Sequence, residues 1–335
     1  MDIFVPGRLC LFGEHSDWAA QYRRINPNIK LGRAIVVGTN QGIYAKVSSQ
    51  NHLWFKTINN SRILQLPMDE AVLLDVAKTN SFYSYAAGVA YEALNRYEVG
   101  GLAIDNYKMD LPLKKGVSSS AAICVLVARA FNLVYQLGLT VEAEMDLAYQ
   151  GERNTPSQCG RLDQACAYGS QPILMTFDGD RSNTTPLKVG QEMYLIVVDL
   201  AGKKNTQKIL ADLNQCYPAA DNQIQKRVQK YLGEINLSLI QQAITAIEEG
   251  DNNKLGSLMN HAQSEFDRCL IPACSSELTA PILHQLLRHP PLQAYILGGK
   301  GVGSQGDGTA QLVCRDRHER LKAISLIQRD FPQME

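Results

Sequence analysis

Of the chain's eight cysteines, no two form a C-x-x-C pair. That argues against a zinc site or a disulfide frame and for reduced cytosolic thiols. Net charge is also missing: 33 basic residues balance 33 acidic ones, so no overall field draws the protein to nucleic acid or an anionic membrane. Local pairs such as Arg23-Arg24, Lys114-Lys115 and Lys203-Lys204 can still act. There is no long hydrophobic run either. The most extended, around residues 121–134, is broken by Arg129 and Asn132 and is too short to span a bilayer. The opening "MDIFVPGRLC" has no basic region ahead of an apolar core, so no signal peptide is expected and the chain is assigned to the cytoplasm. No G-x-x-x-x-G-K-[ST] string occurs, which excludes a Walker-type loop. Internal repeats and low-complexity tracts are absent as well.

What is present is an ordinary soluble composition, 45% hydrophobic and 20% charged, over 335 residues. That length suits two domains, each with its own core. The first third alternates strand-like runs ("AIVVGT", "GIYAKVSS", "HLWFKTI") with turns containing Asn and Gly, as in an antiparallel sheet. Tyr83, Ala86, Val89, Ala90 and Leu94 then mark a helix by three- and four-residue spacing. Strand "GLAIDNYKM" leads to helices at 119–137 and 140–152, and "QPILMTFDG" and "MYLIVVDL" read as strands. The second half predicts helices at about 207–231, 236–249, 252–267, 276–288 and 316–330, the last two separated by strands "AYILGG" and "TAQLVC". The class is α+β with a boundary near 180–192, giving domains 1–185 and 186–335.

Four polar stretches carry candidate chemistry. "GVGSQG" (301–306) satisfies G-x-G-x-x-G, but a strand rather than a helix follows, so a dinucleotide fold is rejected. "PLKKGVSSSAA" (112–122) turns sharply at Pro112 and Gly116 and opens a helix near Ser119. Free N–H groups and the positive end of the helix dipole, with Lys114 and Lys115 beside them, suit a polyphosphate. A serine hydroxyl in that first turn can ligate Mg²⁺. Plain N-capping is an equal alternative, since serine is a leading cap. "PGRLCLFGEHSDW" (6–18) ends in Glu14, His15 and Asp17, acceptors suited to a polyhydroxyl ligand; a solvated polar turn is the plainer reading, and metal ranks below ligand contact. "GERNTPSQCGRLDQACA" (151–167) carries Glu152 and Asp163 across a Pro- and Gly-containing turn. Phosphoryl transfer to an alcohol asks for one carboxylate on Mg²⁺ and one accepting the hydroxyl proton. Taken alone, the pair also fits two unrelated surface groups.

Together, in order, these stretches resemble the GHMP kinases (galactokinase, homoserine kinase, mevalonate kinase, phosphomevalonate kinase) over residues 6–314. "PGRLCLFGEHSDW" is similar to the family's first motif and closest to its galactokinase form. "PLKKGVSSSAA" resembles the second, with Val117 in place of the usual Leu. "GKGVGSQGDGTAQLV" resembles the third, and "CGRLDQ" resembles the galactokinase segment bearing the catalytic aspartate. The resemblance implies a ribosomal-protein-like α/β N-terminal domain and a ferredoxin-like C-terminal domain, with the active site between them.

It further implies ATP and Mg²⁺, and a small-molecule hydroxyl substrate, most readily a sugar. Asp163 would be the base, with Arg8 beside it and the transferring group. Ser120 and Glu152 would ligate Mg²⁺. Lys114, Lys115, Gly116, Val117, Ser118, Ser119, Ser120 and Ala121 would cradle the triphosphate, helped by Gly301, Gly303 and Gly306. Glu14, His15 and Asp17 would bind sugar hydroxyls. Neither nucleic acid nor membrane is an expected partner. The chain departs from the galactokinase pattern in an insert, "AAQYRRINPNIKLGR" (19–33), whose arginines either recognise an acidic or phosphorylated sugar or are solvated loop groups. The third motif is also richer in polar residues (Lys300, Ser304, Gln305, Asp307), and its lysine is similar to phosphomevalonate-type members. A mevalonate or phosphomevalonate kinase, a non-catalytic sugar and ATP sensor, and an ATP-consuming decarboxylase of the same fold are the alternatives.

Overall fold

The computed structural model describes residues 1–58, 60–79, 81–111, 119–157 and 159–335. Its strands are β1 (Asp2–Phe12), β2 (Gly32–Gln50), β3 (His52–Thr57), β4 (Asn60–Pro67), β5 (Gly101–Met109), β6 (Ile173–Asp178), β7 (Arg181–Pro186), β8 (Tyr194–Asp199), β9 (Ile296–Gly301) and β10 (Thr309–Cys314). By contacts the chain divides into two compact units, Met1–Leu9 with Val37–Gln171, and Cys10–Val36 with Pro172–Glu335.

In the first unit, the later part of β2 pairs antiparallel with β5, from Ile43↔Met109 to Gln50↔Gly101. β3 lies parallel to β5 and antiparallel to β4. A parallel neighbour needs a long connection, and the helices Glu70–Ala77 and Ser84–Arg96 occupy it between β4 and β5. The apolar run forms the helix Ser119–Tyr135, in which Ala121 through Ala128 are all buried. A helix apolar all round belongs inside. No helix among the described residues is long and apolar enough to cross a membrane. The two polar residues that interrupt the run are both satisfied by Glu144: Arg129 pairs with it at 2.9 Å and Asn132 Nδ2 donates to it at 2.8 Å. The helices Ser84–Arg96 and Val141–Arg153 approach at two glycines, and a Cβ on Gly88 would stand 2.2 Å from the Gly151 carbonyl oxygen. That crossing fixes the end of Val141–Arg153, which carries Glu152.

In the second unit, the early part of β2 pairs with β6 from Gly32↔Phe177 to Val36↔Ile173, and β6 pairs with β7. A separate antiparallel sheet runs β8-β10-β9. Ile196, Leu283, Leu286, Leu312 and Leu326 join its strands to the helices Pro281–Leu287 and Arg317–Asp330 in one core. A second core gathers Ile209, Leu213, Val228, Phe266 and Leu270 from the other helices.

Several boundaries differ from the sequence expectation. "AIVVGT" and "GIYAKVSS" belong to one 19-residue strand, β2, because Asn40, Gln41 and Gly42 continue the ladder instead of turning. The helix expected over 207–231 is two, Thr206–Asn214 and Gln223–Lys230; Pro218 between them offers no N–H and cannot continue a helix. The helix expected over 276–288 is likewise split before Pro281, where Ala280 adopts φ 43°. Strand β4 and helix Glu70–Ala77 carry too weak a pattern to have been expected.

Gly88→Ala is predicted to cost about 2–3 kcal/mol, because the new methyl meets backbone that cannot yield. Gly138 has φ +68° but open space around its Cβ position, so Gly138→Asn, which tolerates that conformation, costs less than about 1 kcal/mol. Urea unfolding of the two variants checks the contrast.

Candidate active site

The first unit brings four of the expected residues together. Arg8 on β1 is buried, 6% exposed, and its guanidinium pairs with the Asp163 carboxylate. Asp163 opens a 3-10 turn, Asp163–Tyr168, and keeps part of its side chain accessible. Glu152, near the end of Val141–Arg153, is fully buried. It accepts hydrogen bonds from Gln164 Nε2 at 2.7 Å and Ser157 Oγ at 3.1 Å, and the Ser120 hydroxyl also donates to it. Burial, with the Asp163 charge added, pushes the Glu152 carboxyl up to about 7 against these donors.

Ser119 and Ser120 open their helix, both half-buried, and Ala121 is buried behind them. Lys114, Lys115, Gly116, Val117 and Ser118 lie outside the described residues. Among the described residues no three His, Cys, Asp or Glu side chains cluster as a metal site. Mg²⁺ needs no such cage, since one or two protein oxygens plus phosphates suffice. Ser120 and Glu152 fit that role: two hard oxygen donors in contact, one on a buried carboxylate held by uncharged groups and facing another carboxylate.

The second unit holds the other candidates. Gly13, at φ +97°, turns the chain after β1 so tightly that a Cβ would meet the Arg33 carbonyl oxygen at 2.2 Å. His15 follows at φ 69°, a left-handed conformation uncommon for a non-glycine residue. The Glu14 carboxylate forms a buried ion pair with the Lys300 ammonium of β9, which also donates to the Gly301 carbonyl at 2.9 Å. His15 is buried, and its Nδ1 accepts from Trp18 Nε1 at 3.0 Å. Indole N–H only donates, so the neutral imidazole carries its proton on Nε2, beside the Ser304 backbone. Burial and then the Lys204 charge bring the His15 pKa down to about 4. Asp17 is half-buried in the short helix Ser16–Ala19.

The glycine stretch is the loop of the β9–β10 hairpin, with Gly303, Gln305 and Gly306 at positive φ. No helix follows it, in keeping with the rejected dinucleotide fold. Gly301 N donates to Gln263 Oε1 at 2.7 Å, and Lys204 Nζ donates to the Gln305 carbonyl at 3.1 Å. Two of the insert's three arginines are paired, Arg23 with Asp178 and Arg24 with Asp180. Sequence reasoning passed over Gln164, Ser157, Gln263 and Trp18. The signal available for Gln164 was its place directly after Asp163; Gln263 and Trp18 gave none.

Residues 84–170, within an α+β fold, match the family model of the GHMP kinases N terminal domain. Among curated proteins the chain is similar to the galactokinase of Haemophilus influenzae (strain PittGG). Those two are 24% identical over 373 aligned positions, covering 98% of this chain and 88% of the relative. Among solved structures, Lactococcus lactis galactokinase complexed with galactose shares the fold at TM-score 0.74 and 16% identity, covering 100% of this chain and 91% of that one. The L. major mevalonate kinase in complex with R-mevalonate shares it at TM-score 0.69 and 19% identity, covering 99% and 93%.

Two predictions follow from the second unit. Lys300→Met leaves the buried Glu14 carboxylate without its partner and should cost about 3–5 kcal/mol, whereas adding Glu14→Gln recovers most of that; chemical denaturation of the single and double variants measures both. For His15 the folded state stays neutral where the unfolded chain begins to protonate. Its contribution is complete above pH 6.5 and is lost as pH falls toward 4. Between pH 7 and 4.5 His15→Asn should therefore lose about 2–3 kcal/mol less stability than the parent chain. Unfolding midpoints at the two pH values test this.

Proposed function

We propose that the protein is an ATP- and Mg²⁺-dependent phosphotransferase that moves the γ-phosphoryl group to a hydroxyl of a sugar or sugar derivative. The observation that carries this reading is the joining of Arg8, Asp163, Glu152 and Ser120 in the unit that contains the matched family domain. The Asp163 carboxylate would accept the proton of the acceptor hydroxyl as its oxygen bonds to phosphorus and the bond to the ADP oxygen breaks. Arg8 holds Asp163 in place and adds positive charge toward the transferring group. Mg²⁺, when bound, would offset phosphate charge, and Ser120 and Glu152 would hold it. Residues 114–121 with Gly301 and Gly303 would take the triphosphate. The acceptor's hydroxyls would meet Nε2–H of His15 and the Asp17 carboxylate. Glu14, tied to Lys300, would present a neutralised pair instead of a bare acceptor.

The names of the curated relatives support a sugar. Mevalonate or phosphomevalonate is the second reading, favoured by the fold shared with the mevalonate kinase and by Lys300. A sensor without turnover has less use for the Arg8–Asp163 pair.

Purified protein with ATP and Mg²⁺ should release ADP with at least one of a panel of hexoses, their derivatives and polyols. ADP release only with mevalonate or phosphomevalonate would transfer the assignment to the second reading, and CO₂ release alongside it would indicate a decarboxylase. Silence across the whole panel would leave the sensor. In the active pair, Asp163→Asn should lower kcat by about 10²–10⁴-fold while nucleotide binding, read by calorimetry, persists. An Asp163→Asn enzyme with undiminished kcat would remove Asp163 as the base.

A further inference from the structure

We propose that the second unit contains a separate binding site for the phosphate monoester of a small polyhydroxylated molecule. It is a cavity of about 300 Å³ between the insert and the helical run that includes Gln223–Lys230 and the π-turn Tyr231–Ile235. Three ammonium groups, Lys30, Lys226 and Lys230, line it together with one carboxylate, Glu234. Three positive charges less one negative leave +2, which matches the nearly dianionic phosphate monoester at neutral pH.

Several other basic groups of this unit are paired: Lys208 with Asp212, Arg268 with Glu265, and Arg23 and Arg24 with Asp178 and Asp180. Among the described residues the three cavity lysines form no ion pair within 4.0 Å. Lys226 and Lys230 stand four apart on one helix face, where like charges repel. An anion between them turns that cost into a gain, and a lysine acts as a point charge on phosphate.

The backbone makes room for this. The π-turn directly after Lys230 widens the helix, a distortion that recurs at functional sites. Gly233 lies within it, and a Cβ there would come 3.1 Å from Lys30 Cγ. The Lys30 stem thus lies against the turn at Gly233. The remaining polar lining suits hydroxyls. Gln229 spends its Nε2 on the Cys216 carbonyl at 2.7 Å, so its Oε1 is the acceptor it offers, and Glu234 and Asn28 also line the cavity.

Glu14, His15 and Asp17 do not line the cavity, although Ser16, between two of them, does. The site is thus distinct from the proposed acceptor residues, and its ligand is recognised whether or not the protein turns over ATP.

Calorimetric titration without nucleotide tests it, with glucose 6-phosphate, inorganic phosphate and glucose as probes. Glucose 6-phosphate is expected to bind with Kd below about 1 mM, and each of Lys30→Gln, Lys226→Gln and Lys230→Gln should weaken it about five-fold or more. Inorganic phosphate should bind more weakly, and the glucose titration should be unaltered by the substitutions. All three lysines are exposed, so the variants should keep the parent melting temperature, and binding is read on folded protein. Equal affinity of glucose 6-phosphate for the parent and the triple variant would overturn the proposal, as would no binding to the parent. Phosphate binding as tightly as glucose 6-phosphate would overturn the polyol component.

Discussion

A carboxylate removed from water costs several kcal/mol unless donors or a cation replace its hydration, and Glu152 is removed entirely. Ser120, Ser157 and Gln164 supply neutral donors, yet its proton affinity stays high because of its burial and, after that, the Asp163 charge. Much of the first unit is explained by keeping these two carboxylates close. The glycine crossing at Gly88 and Gly151 brings the helix end carrying Glu152 inward, and the buried apolar helix that begins at Ser119 places Ser120 against it. Arg8 neutralises Asp163 and leaves Glu152 as the group in need of positive charge.

The second unit handles the same problem differently. Glu14 is buried, and it is held by a lysine that is itself 1% exposed. A pair of that kind contributes little net stability but makes its geometry costly to change. Beside it, His15 is kept neutral by burial and the Lys204 charge and in one tautomer by Trp18, so a donor is fixed at Nε2 without a charge. The strained turn at Gly13 and His15 is held by β2 packing against it. Rigid polar groups of known protonation state are what recognition of a neutral polyol requires.

Glu14, His15, Asp17, Ser120, Glu152 and Asp163 were legible in the sequence because each lies in a short string whose order along the chain resembles a family. Helices were legible where apolar spacing was strong, as in Ser119–Tyr135, and lost where a proline interrupted a continuous pattern, as at Pro218. Gln164 and Lys300 were visible as residues but not as partners. Lys300 lies 286 positions from Glu14, and no local periodicity reports a contact of that span.

By itself, then, the sequence determined the α+β class, the absence of any string for a Walker loop, and the residue types suited to phosphoryl transfer. These follow from local pattern and composition, which act over a few residues. Only the tertiary structure decided that Arg8 meets Asp163, that Glu14 is spoken for by Lys300, that Arg23 and Arg24 are paired with Asp178 and Asp180, and that Lys30 shares a cavity with Lys226 and Lys230. Those outcomes depend on which buried charge finds which partner. Chain folding settles that through desolvation and long-range packing, and neither is written in the spacing of neighbours.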